Sequence, residues 1–145
     1  MKDDRLRIPA EPAYVSALGL AIFAFARLEW AAVCCCERIQ PNSIHGLPKK
    51  RKTAGGIAKK LIELAAGLPA SPEQIDLRAA AAEFEGLALR RNDLLHAQPG
   101  STTDGAQRVF RDGLPWEIEK INEAADDFTE CNDRLVALWN KINRQ

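Results

Sequence analysis

The side chains best suited to chemistry fall together in one run, Arg91-Asn92-Asp93-Leu94-Leu95-His96. Histidine, with an unperturbed pKa of about 6.5, takes up and releases a proton near neutral pH. Arginine offers a planar fork of donors matched to the oxygens of a phosphate or carboxylate. The pair supplies proton transfer and charge stabilisation without a metal, and no cofactor is expected. The chain has only two histidines, His45 and His96, and lacks a P-loop, GxGxxG, HExxH, GxSxG and the ExxH pairs that build di-iron bundles.

Helices must position this run. Proline suits a first helical turn, so a first helix begins near Pro12 and stops before Pro41, with Leu18, Ile22, Phe25, Glu29, Ala32 and Cys36 as its expected core seam. Arg27 and Glu29 interrupt its apolar stretch, which argues for a buried bundle helix over a membrane span. A loop from Gln40 to Pro48 leads through Lys49-Lys50-Arg51-Lys52 to a shorter helix around Ala58 to Ala66, closed by Gly67 and Pro69. Ser71-Pro72-Glu73-Gln74 reads as N-cap, first-turn proline and capping-box glutamine, starting a third helix that runs to about His96 or Ala97 before Pro99-Gly100. A short hairpin is expected around Gln107 to Arg111 and Asp112-Gly113. A fourth helix, from about Trp116 to Ile142, carries Ile118, Ile121, Ala125, Phe128, Asn132, Leu135, Trp139 and Ile142 on one face. The expected fold is a single all-α domain over residues 1–145, a mostly antiparallel four-to-five-helix bundle with a short hairpin or irregular insertion before the last helix.

On an ideal third helix Arg78, Glu85, Asn92 and His96 share a sector of roughly 40°, whereas Arg91 turns toward Phe84, Leu87 and Leu95. Such a stripe also suits a solvated face, and His96 alone also suits a helix C-terminal cation. Arg91-Asn92-x-x-x-His96 resembles the Arg-x4-6-His motif of HEPN domains, including the polar residue after the arginine. The opening helix, with Leu18-Gly19 and Ala26-Arg27-Leu28-Glu29-Trp30, is similar in style, and the motif ends a later long helix as it does in that family.

The resemblance implies metal-independent RNA cleavage in a homodimer whose two motifs line one cleft. His96 would act on the ribose 2′-hydroxyl or the leaving oxygen, Arg91 would stabilise charge on the phosphate, and Asn92 would orient the pair. It equally allows a non-catalytic module that binds nucleotides or serves a nucleotidyltransferase-type partner, as in toxin–antitoxin pairs. A plain helical interaction protein remains the third reading. Glu29 lies in the expected seam with no basic residue three or four positions away, so its partner is sought at Arg91 or Arg90, in a supporting role.

Twenty basic residues balance twenty acidic ones, so net charge decides nothing, but the distribution is polarised. Arg38 to Ile62 holds seven Lys and Arg and no acid, while Glu117 to Asp133 holds seven acids and only Lys120. Lys49, Lys50, Arg51 and Lys52 are therefore candidate RNA-backbone contacts, or else a solvated loop or a partner for the acidic helix. Cys34, Cys35, Cys36 and Cys131 read as reduced, core-filling residues without metal-ligand spacing. The charged start does not resemble a secretory signal, and a cytoplasmic protein without membrane attachment is expected.

Overall fold

The structure, a computed structural model, describes residues 5–142. Four helices form it: α1 (Pro12–Ile39), α2 (Ala54–Ala66), α3 (Pro72–Leu95) and α4 (Ile118–Trp139). Between α3 and α4 lies a small antiparallel sheet of order β1-β2-β3 (Gln98–Ser101, Gln107–Arg111, Leu114–Pro115). The protein is thus mostly helical, and the sheet makes "all-α" too narrow a description. Pro99-Gly100 reads as a helix stop in sequence, yet Gln98, Pro99, Gly100 and Ser101 form a strand that pairs with Phe110, Val109, Arg108 and Gln107. Asp112 and Gly113 turn β2 into β3 with positive φ angles of 52° and 77°, the backbone that a two-residue Asp-Gly hairpin loop demands.

The helix boundaries follow their punctuation. Pro12 opens α1, and Ser71 caps α3 by accepting from the Gln74 amide at 3.0 Å. The Gln74 side chain does not close a capping box. It is buried and donates to the Ala65 carbonyl at 3.0 Å, tying the start of α3 to the end of α2.

The bundle departs from a mostly antiparallel arrangement. Tyr14 meets Trp116, Phe25 meets Phe128, and Cys35 meets Leu135, so α1 and α4 run the same way. Helix α3 runs back against α4, as the Arg134–Glu83 and Arg90–Asp127 pairs show, and against α2, as Gln74–Ala65 shows. Residues 40–53 carry the chain back so that α2 can repeat the direction of α1. Glu37 anchors that return: its carboxylate accepts from the backbone amides of Asn42 (2.6 Å), Ile44 (2.8 Å) and His45 (2.9 Å).

Helix α1 is long and apolar enough to cross a membrane by length and composition, yet in this fold it lines the core from end to end. Its buried face includes Ala17, Ala21, Ala24, Phe25, Leu28, Ala31, Ala32 and Cys36; Phe25, Ala32 and Cys36 of the expected seam lie on it, and the rest of the face is rotated from that seam. Ile22 is exposed, while Leu18 and Glu29 are half-buried. The central contact is Phe25, stacked with Phe84 of α3 at 6.1 Å and edge-on to Phe128 of α4 at 5.1 Å. A second cluster, with Tyr14, Ala21, Leu94 and Trp116, joins the sheet to the bundle where α3 ends. Tyr14 donates to the Trp116 carbonyl (2.6 Å) and accepts from the Val109 amide (3.1 Å), so α1 and the hairpin together fix that end.

Candidate functional site

One turn of α3 sends four consecutive polar side chains to four different neighbours. Arg90 pairs with Asp127 of α4, so it does not support Glu29. Arg91 turns to α1, where its Nη2 lies 3.9 Å from Glu29 Oε2 and its guanidinium lies over the Phe25 ring at 4.7 Å. Asn92 faces a cleft against α2. Asp93 pairs with Arg111 of β2 at 3.3 Å. This fan braces the helix end against α4, α1 and the sheet, and it leaves Arg91 and Asn92 pointing to different surroundings.

The Arg91–Glu29 contact is loose. At 3.9 Å it exceeds a hydrogen bond, and the buried Arg91 Nε makes none. Burial pushes the Glu29 carboxyl above its ordinary pKa, and the Arg91 charge only partly opposes that shift. The guanidinium therefore lies over an aromatic face beside a half-buried carboxyl that makes no hydrogen bond to it. His96 caps α3 through its backbone amide, which donates to the Asn92 carbonyl at 2.9 Å, and its residue is exposed. It follows Asn92 by four residues, just past the last residue of α3. Within one chain, Arg91 and His96 face different surroundings.

The basic run is divided as well. Lys49 to Arg51 form a short 3₁₀ turn seated on the first turn of α2, where a Cβ at Gly56 would overlap the Arg51 carbonyl oxygen. Only Lys50 and Arg51 of that run line the cleft, joined by Lys59 and Lys60 of α2 and by Glu85 and Asn92 of α3. Lys49 and Lys52 are exposed outside its lining. The cleft encloses about 680 Å³. Sequence reading missed Lys59 and Lys60; the signal was their place in the acid-free stretch, together in the second turn of α2.

Beside the Glu29 edge, α1 presents an apolar stripe to solvent. Val15, Gly19, Ile22, Phe23, Ala26 and Trp30 are all exposed, with Phe23 at 66% and Trp30 at 62%. Two aromatics this open on one helix face exceed scattered surface apolarity. The thiols offer no comparable feature: burial pushes Cys35, Cys36 and Cys131 up to about 12, and no group of potential metal ligands forms among the described residues. His45 is exposed and contributes its backbone amide to Glu37. No protein-family model, curated protein or solved structure matches the chain.

Proposed function

We propose that this chain is an HEPN-like, metal-independent endoribonuclease of toxin or defence type, acting in the cytoplasm as a homodimer. The observation that carries the reading is the state of Arg91: a half-buried guanidinium at the end of α3, loosely held and with an unpaired Nε, five residues before an exposed histidine. An incoming phosphodiester competes well for such a group, because its oxygens accept from the fork in pairs. His96 then takes the proton from a ribose 2′-hydroxyl. The freed O2′ bonds to phosphorus, the P–O5′ bond breaks, and the products are a 2′,3′-cyclic phosphate and a 5′-hydroxyl end. The leaving oxygen needs a proton, and His96 of the partner subunit supplies it, since one imidazole cannot serve as base and acid in the same step.

The exposed α1 stripe supports the dimer. It is continuous with the Glu29–Arg91 edge, and its small residues, Gly19 and Ala26, alternate with Phe23 and Trp30 in a pattern that a second copy can fill. If two copies pair with α1 helices running oppositely, the two-fold axis keeps both Glu29 edges on the same side, so both motifs border one cleft. A parallel pairing would separate them.

The test is incubation of purified protein with mixed RNA in EDTA beside Arg91→Ala and His96→Ala. We expect cleavage by the parent and a loss of about 10²-fold or more in each variant. Phe23→Arg is expected to shift the dimer to monomer in sedimentation and to lose cleavage with it. Absence of cleavage, or equal cleavage by all proteins, would refute the nuclease reading. A second reading, a non-catalytic nucleotide-binding module paired with a nucleotidyltransferase-type partner, draws support from the tethering of Arg91 to Glu29 within one chain.

A further inference from the structure

The cleft between α2 and α3 is built differently from the Arg91 side of the helix. One wall, from the 3₁₀ turn and α2, carries Lys50, Arg51, Lys59 and Lys60. The opposing wall, from α3, carries Glu85 and Asn92. Lys60 shares its charge with Glu63 at 3.1 Å, and the other three cations have no ion pair among the described residues. The floor includes Leu47, Ala88 and Leu89, and no aromatic side chain lines the cleft.

We propose that this cleft seats the sugar–phosphate backbone of single-stranded RNA, with phosphates along the Lys50–Arg51–Lys59 wall and riboses against Glu85 and Asn92. The proposal rests on the RNA-acting reading above and extends it from the cleavage motif to a substrate track. Three unpaired cations on one wall fit successive phosphates, whereas Glu85 repels phosphate from the other. A carboxylate and an amide on that second wall accept hydrogen bonds from 2′-hydroxyls, which DNA lacks. The missing aromatics deny bases a stacking platform, so the cleft reads backbone rather than sequence. Asn92 belongs to both the cleft and the motif, and exposed His96 follows it by four residues at the C-terminal end of α3, so a strand leaving the cleft at that end comes near the imidazole.

The test is fluorescence anisotropy of the full chain carrying His96→Ala, so that substrate survives, with a labelled single-stranded RNA in EDTA. Three phosphate contacts predict a log–log salt slope of about −2, and Arg51→Glu and Lys59→Glu should each weaken binding about tenfold at low salt. Lys120→Glu, a reversal of the same size on α4, should leave affinity unchanged. Circular dichroism of each variant checks that it is folded; both cleft positions are exposed, and parent-like spectra are expected. The proposal is overturned if the cleft variants bind like the background or if Lys120→Glu weakens binding as much. Equal affinity for DNA of the same sequence would overturn the ribose contacts. A parent chain that binds through these residues without cleaving RNA would sink the nuclease reading alone, and cleavage indifferent to them would sink the cleft alone.

Discussion

Two carboxylates two turns apart on α1 hold the two sides of this protein in opposite ways. Glu37 is partly desolvated, which resists ionisation, but three backbone N–H donors outweigh that and hold its carboxyl below the ordinary range. It is an anchor, fixing the return loop that leads to the basic turn. Glu29 is half-buried with one distant cation for company, and that burial holds its carboxyl above the ordinary range. Full satisfaction marks a structural group; incomplete satisfaction, beside a guanidinium and an open apolar face, is the feature on which the proposed function rests.

Removing each carboxylate should separate the two roles. Glu37→Ala deprives three amides of their acceptor and should cost about 2 kcal/mol in denaturant unfolding, with the loop and the basic turn loosened. Glu29→Gln should cost less than about 1 kcal/mol, because the pair is partly exposed and loose. It should still reduce cleavage, since Arg91 loses its guide. A Glu29→Gln protein with unchanged cleavage would remove Glu29 from the site.

The pH dependences should have opposite signs. Glu37, lowered on folding, contributes stability above its unfolded pKa that is lost as pH falls through its folded value. Glu29, raised on folding, binds its proton more tightly in the folded chain. Its term therefore favours the fold below the unfolded pKa and is lost as pH rises through the raised value. Melting temperatures across the acid range, for the parent and the two variants, should show the acid loss reduced in Glu37→Ala and slightly enlarged in Glu29→Gln. The same change in both variants would erase the contrast.

Legibility in the sequence followed the strength of local constraints. Pro12, Ser71-Pro72 and Asp112-Gly113 each act on their own backbone, and the elements they begin or turn lie where they indicate. The stripe of α4 was readable because its other face is acidic: Ile121, Ala125, Phe128 and Leu135 are buried as spaced. Helix α1 is apolar nearly all round, so periodicity left its phase open, and the alanines rather than Ile22 face the core. The Arg91–Glu29 contact, among those sought for Glu29, could be suspected because a charge in a seam needs a partner. Lys59, Lys60 and the Arg90–Asp127 pair depend on which helices lie side by side, and spacing along one chain does not contain that.

The central claim, that two copies share one catalytic cleft, is tested most directly by a purified heterodimer of a parent chain and a His96→Ala chain carrying different tags. If both imidazoles serve one cleft, the heterodimer should cleave RNA almost as poorly as the doubly substituted dimer. Retention of about half the parent activity, as expected of two independent sites related by a two-fold axis, would contradict it.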